Sequence, residues 1–262
     1  MNILRKIVAR KKKTVAESKE RTPISELEKS PFFERKCISL SKNLNQSETG
    51  IIAEFKRKSP SKGWINENAD IEEVAKCYET AGASGISVLT DQEFFAGSNE
   101  DLTKARQTVQ LPILRKDFVI DKYQLAESKA IGADVVLLIA ACLQQKQTKE
   151  LAKFAQTFGL EVLLEVHDEA EINSHLNEYV NMVGVNNRNL NNFFVDVNQS
   201  LKLVDKIPTN FVKISESGLD NIEAIAQLRN VGYQGFLIGE NFMRDQRPGH
   251  KCKEFINNVN HS

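Results

Sequence analysis

The chain has 262 residues, 41% of them hydrophobic, with Lys plus Arg and Asp plus Glu each numbering 35. That length suits one sizeable core, and the balanced charge excludes a global field that would draw in nucleic acid or an anionic membrane surface. No run reaches the roughly 18 apolar residues of a membrane span, and Cys37, Cys77, Cys142 and Cys252 are too scattered for a zinc site or a disulfide framework, so a cytoplasmic protein with reduced thiols is expected.

The opening stretch MNILRKIVARKKKTV is basic but lacks the apolar core and cleavage site of a secretory signal. Ile3, Leu4, Ile7 and Val8 recur at helical spacing, which predicts an amphipathic helix with Arg10 to Lys13 on its solvated side. Residues 1–45 carry few strand signals and no freeing linker, so they read as a helical extension packed across one end of the remaining chain, with Asn43 to Gly50 as the connecting loop.

From residue 50 a βα unit repeats. Its predicted strands are Ile51 to Glu54, Gly85 to Leu89, Pro112 to Lys116, Asp134 to Leu138, Leu160 to Glu165, Met182 to Asn186, Phe211 to Ser215 and Gly235 to Gly239. Between them lie helical patterns such as Ile71, Val74, Ala75, Tyr78 and Ala81, or Ile222, Ile225, Ala226 and Leu228, with stops near Gly82 and Gly132. An open doubly wound sheet would also alternate in this way. A closed ring is preferred because polar, reactive residues end nearly every strand, and only closure brings those ends around one mouth. The predicted fold is therefore α/β: a single (β/α)8 TIM barrel over residues 1–262, with the N-terminal helical extension.

Side chains two apart on a strand share a face, and that rule selects the candidates. On the first strand it pairs Glu54 with Lys56, as functional groups or as a structural ion pair. On the third, Lys116 follows the inward Leu114, while Arg115 and Asp117 alternate away and fit a rim ion pair. Proximity of Lys116 to Lys56, together with burial, would lower a lysine pKa and make a better proton donor. On the fifth, Glu165 shares the inward face with Leu163 and is a candidate acid or base. His167 lies just beyond and could act in catalysis, but a lone histidine there is more often a loop or packing residue, and Asp168 reads as the cap of the next helix. Asn186 and Arg188 suit the orientation of hydroxyls and a carboxylate, whereas Asn187, Asn191 and Asn192 fit a plain turn. Gly218 and Gly239, in the loops after the last two strands, would let backbone N–H groups approach a phosphate, or simply serve turns.

The strings IIAEFKRKSPSKG, ISVLTDQEFFAGS, LPILRKDFVID, ADVVLLIAA, LEVLLEVHDEAE, VGVNNRNL, SESGL and LIGENFM closely resemble, in order, the indole-3-glycerol phosphate synthase family of tryptophan biosynthesis. The resemblance covers nearly the whole chain. It implies closure of an indole ring on 1-(2-carboxyphenylamino)-1-deoxyribulose 5-phosphate with loss of carbon dioxide and water, using no metal or redox cofactor. It further implies that Lys116 is the general acid, with Glu54 and Lys56 beside it. Glu165 would be the later base or stabiliser, and Asn186 and Glu216 would line the site near the sugar hydroxyls. Arg188 would hold the carboxylate, Phe95 and Phe118 would give aromatic surface, and Ser59, Ser217, Gly218 and Gly239 would cradle the phosphate. Trp64 replaces a smaller aliphatic of the family pattern, and Arg57 and Lys58 make that loop more basic, with altered mobility or affinity expected. The implied partner is a phosphorylated small molecule, with no nucleic acid and no membrane, and the expected state is a monomer. An isomerase of the phosphoribosylanthranilate type and a non-catalytic phosphate-binding barrel are the alternatives on the same fold.

Overall fold

The computed structural model describes residues 3–189 and 193–260; Asn191 and Asn192 of the expected turn lie outside the described residues. The strand pattern becomes a ring of β1 (Ile51–Phe55), β2 (Gly85–Leu89), β3 (Ile113–Lys116), β4 (Val135–Ile139), β5 (Glu161–Val166), β6 (Met182–Asn186), β7 (Val212–Glu216) and β8 (Gly235–Ile238). All pairings are parallel and follow chain order. Ile52 of β1 lies opposite Gly85 of β2 on one side and Leu237 of β8 on the other, which closes the barrel and rules out the open sheet. A short antiparallel hairpin, Lys58–Ser59 with Gly63–Trp64, decorates the loop after β1.

Helices α1 (Ile3–Arg21), α2 (Ile24–Leu27) and α3 (Leu40–Gln46) precede the ring. The later helices are α4 (Ile71–Ala81), α5 (Gln92–Phe95), α6 (Asn99–Thr108), α7 (Lys122–Ala130), α8 (Gln145–Thr157), α9 (Glu169–His175), α10 (Asn198–Leu203), α11 (Ile222–Asn230), α12 (Glu240–Met243) and α13 (Pro248–Asn260). Their starts are encoded locally. Asp70 caps α4 by accepting from the Glu73 N–H, Asp121 and Gln124 form a reciprocal capping box on α7, and Asp168 caps α9 as expected. Helix α4 then buries Ile71, Val74, Ala75, Tyr78 and Ala81 against the barrel layer, the face its periodicity predicts.

Inward positions change character from the bottom of the barrel to the top. Ile52, Leu114, Leu163, Met182 and Ile214 belong to the inner apolar cluster. Two residues further on, the same faces carry Glu54, Lys116, Glu165, Gly184 and Glu216. Apolar packing in the lower barrel thus provides the rigid base for the charged groups at the carboxyl rim.

The extension departs from expectation in three ways. It spans both barrel ends, because α1 lies at the carboxyl rim while Leu40 and Leu44 of α3 plug the bottom within the inner cluster. Asn43 to Gln46 continue α3, so the loop into β1 begins at Ser47. Lys11 is not solvated: with Ile7, Val15 and Ser18 it forms the buried face of α1 and pairs with Asp91 at 2.7 Å and Asp117 at 2.6 Å. Two buried carboxylates attract it more strongly than water does, an outcome helical periodicity of apolar residues cannot register.

Candidate active site

The inner faces of the strands deliver four ionisable groups to one point. Lys116 Nζ at the end of β3 donates to Glu216 Oε2 of β7 at 2.7 Å and lies 3.7 Å from Glu54 Oε2 and 3.9 Å from Glu165 Oε2. Lys56 reaches back to Glu54 Oε1 at 2.7 Å, and Asn186 donates to Glu165 Oε1 at 3.0 Å. Glu54, Glu165, Asn186 and Glu216 are all buried.

The charge state of Lys116 corrects the sequence expectation. Burial alone would lower its pKa, but Glu216, Glu54 and Glu165 outweigh that effect and hold it well above the usual lysine range. Repulsion from Lys56 does not govern it, because Lys56 is spent on Glu54. Burial likewise opposes ionisation of Glu54, yet Lys56 and Lys116 keep it below the ordinary carboxylate range. Three carboxylates share two ammoniums, leaving one surplus negative charge. Glu216 relieves it: burial, with repulsion from Glu165 and Glu54, pushes its pKa up to about 7 against the pull of Lys116. Its Oε1 is buried and has no hydrogen-bond partner. One glutamic acid in the cluster can therefore hold a proton near neutral pH.

Two glycines make room for these carboxylates. A Cβ at Gly184 would sit 2.2 Å from Glu216 Oε1, and one at Gly239 would sit 2.5 Å from Glu54 Oε1. Gly239 is thus required by a catalytic candidate as well as by any phosphate. Gly184 was not among the sequence candidates, although an isolated glycine inside a strand is a signal of close approach.

The cavity around the cluster has a volume of about 640 Å³ and gathers the residues to which the family resemblance gives catalytic or binding roles. Ser59, Ser217, Gly218 and Gly239 line it, as do Phe95 and Phe118, whose ring centroids are 6.2 Å apart. Ser217 and Gly218 both adopt left-handed backbone, φ 70° and 74°, turning the chain sharply after β7. Arg188 also lines the cavity, where Glu240 Oε2 lies 3.3 Å from it and Arg244 holds the other oxygen of Glu240.

Other candidates are assigned to structure. His167 is absent from the cavity wall; its Nδ1 lies 2.9 Å from the Asn186 carbonyl oxygen and its backbone N–H donates to Glu171. Arg115 and Asp117 are not a rim pair but part of a buried network with Glu127, Thr90 and Lys11. Asn187 is more than a turn residue: it is buried, donates to Ser215 Oγ and accepts from Ser200. Arg57 is tied to both oxygens of Asp101, so its charge pins the loop after β1 and does not serve the cavity. Trp64 is exposed, with the Lys58 ammonium 5.7 Å from its ring. Among the described residues no cluster of three His, Cys, Asp or Glu side chains is disposed to hold a metal ion; the three glutamates converge on an ammonium.

A family model described as indole-3-glycerol phosphate synthase matches residues 4–255. The chain belongs to the indole-3-glycerol phosphate synthase family. It is accordingly a lyase of the decarboxylating class that serves tryptophan biosynthesis. The indole-3-glycerol phosphate synthase of Bacteroides thetaiotaomicron is 46% identical over 97% of this chain and 98% of its own. That of Campylobacter jejuni subsp. doylei is 42% identical over 97% of this chain and 100% of its own. A solved structure described as "Native KDPGal structure" superposes with a TM-score of 0.56 at 14% identity, covering 82% of this chain and 94% of that one, and speaks to the barrel fold alone. Full-length matches within the family leave no support for the isomerase or non-catalytic alternatives.

Proposed function

We propose that this chain closes the pyrrole ring of indole-3-glycerol phosphate from 1-(2-carboxyphenylamino)-1-deoxyribulose 5-phosphate, with Lys116 as general acid. Family membership supports the reaction, and the convergence of Glu54, Glu165 and Glu216 on the Lys116 ammonium is the observation that carries the assignment of roles. Lys116 stays charged throughout the working pH range, so it offers both a proton and a fixed positive charge to the ribulose carbonyl oxygen as the aromatic carbon attacks. Arg188, whose Nη2 lies 3.3 Å from Glu240 Oε2, holds the substrate carboxylate in place of Glu240. After ring closure the carboxyl group leaves as carbon dioxide, and the remaining hydroxyl leaves as water. Glu165, oriented by Asn186, accepts or stabilises a proton in those steps, and Glu216 can supply one. Lys56 screens Glu54 and faces the anionic substrate. Phe95 and Phe118 offer the aromatic wall, and Ser59 with Ser217, Gly218 and Gly239 the phosphate seat.

No described helix is long and apolar enough to cross a membrane. We assign the chain to the cytoplasm as a monomer; among the described residues the exposed large apolar side chains Ile24, Trp64, Phe194 and Val231 come from four separate segments.

The test is indole fluorescence from purified protein and the ribulose substrate with no cofactor added. Product is expected from the native chain, and Lys116→Ala should lower kcat by about 100-fold or more, as loss of a general acid does, while circular dichroism stays native. Turnover in that variant equal to the parent would remove Lys116 from the mechanism; no product from the parent would end the reading.

A further inference from the structure

The buried ammonium of Lys11 is used by no step above. Its two partners belong to the turns that carry the aromatic wall. Asp91, after β2, also accepts from the Phe94 N–H at 2.9 Å and so caps α5, which presents Phe95. Asp117, directly after Lys116, accepts from the Phe118 N–H at 2.7 Å through the same oxygen that meets Lys11. One ammonium therefore joins α1 to the backbone supporting both rings. One and two turns earlier on the same helix, Ile7, Leu4 and Ile3 line the cavity itself. An amphipathic helix could have covered the rim with an apolar side chain at position 11, without the desolvation cost of a buried charge.

We propose that Lys11 is a positioning residue for the aromatic half of the substrate: it latches α1 over the mouth and fixes Phe95 and Phe118 through Asp91 and Asp117. The proposal rests on the ring-closure reading, which supplies an aromatic substrate. Lys116 is held by Glu216, Glu54 and Glu165, none of them a partner of Lys11, so its proton transfer does not depend on the latch. The effect of losing Lys11 therefore falls on substrate binding. At its far end α1 stays attached, because Tyr123 Oη donates to the carbonyl oxygens of Ser18 and Thr22 at 3.1 and 2.9 Å.

Two variants test this. Lys11→Met strands two buried carboxylates; combining it with Asp91→Asn removes one of those charges while keeping a good helix cap. In the double variant KM for the ribulose substrate should rise about tenfold or more with kcat within about threefold, the pattern of lost uniform binding. Amide hydrogen exchange should accelerate across residues 3–14, ahead of the segment tied by Tyr123, and stay unchanged in the barrel strands. A folded double variant with parental KM, or with slow exchange retained across residues 3–14, overturns the proposal. A merely structural role would lower the melting temperature and leave KM of the folded protein alone. Absence of product from the parent protein would instead sink the ring-closure reading, and the exchange measurement would still report whether Lys11 latches the helix.

Discussion

At the scale of single residues, the site is a problem of surplus charge solved by one proton. Because burial and two neighbouring carboxylates raise the pKa of Glu216 to about 7, its ionisation should shape kcat/KM close to neutral pH. Glu216→Gln is expected to abolish the limb centred near pH 7 in the kcat/KM profile; an unchanged profile would assign that limb elsewhere. The same shift has a consequence for stability. A carboxyl group whose folded pKa is raised contributes stability that is complete below its unfolded value near 4.5 and is lost as pH rises through about 7. The melting temperature of Glu216→Gln should accordingly gain on the parent between those two pH values. Gly184→Ala probes the space that Glu216 needs. A methyl group 2.2 Å from Oε1 must displace the carboxylate, so activity should fall about tenfold or more with a stability loss of about 1–3 kcal/mol, as for other overpacked sites. Full activity in that variant would show that Glu216 can be repositioned without cost. Strand parity made Glu54, Lys116 and Glu165 legible as inward groups. It could not reveal that Lys116 is surrounded by carboxylates from β1, β5 and β7, which raise its pKa where proximity to Lys56 would lower it.

At the scale of elements, function and stability separate along the barrel axis. Helix α3 is fastened to the bottom by Glu161, the first residue of β5, which accepts from the backbone N–H groups of Leu40 and Ser41 and from both serine hydroxyls at 39 and 41. Glu161→Ala should cost about 1–3 kcal/mol of stability, because several donors lose a buried or partly buried acceptor together. Its kcat/KM should remain parental at temperatures where it is folded, since the chemistry lies at the other end; a large kinetic defect would contradict this division. Most of these elements were readable from the chain. The cap at Asp168 and the apolar spacing of α4 are local signals, satisfied within a few residues of the chain. Helix α1 was readable as a helix, but its orientation was not. Lys11 repeats with Ile7 and Val15 at a spacing of four, and only the positions of Asp91 and Asp117 convert that spacing into a buried charge.

For the whole molecule, the extension is bound at both ends of the barrel, by Lys11 and Tyr123 at the rim and by Glu161 and Asp134 below. Asp134 is fully buried and receives Arg35, Arg106 and the backbone N–H groups of Ile38 and Ile113. Such ties predict that residues 1–45 and the barrel unfold together, giving one cooperative calorimetric transition. A first, separate transition in which only the extension melts would make it an independent unit. The alternation of strands and helices and the shared inward faces of Glu54, Lys116 and Glu165 were written in the order of the amino acids, because they depend on periods of two and 3.6 residues and on side-chain type. Which charges meet, which of them keeps a proton, and what the first helix covers were settled only by the folded arrangement. Those outcomes depend on distances between groups up to a hundred or more residues apart, and electrostatic interaction is set by separation in space and by exclusion of water rather than by order along the chain.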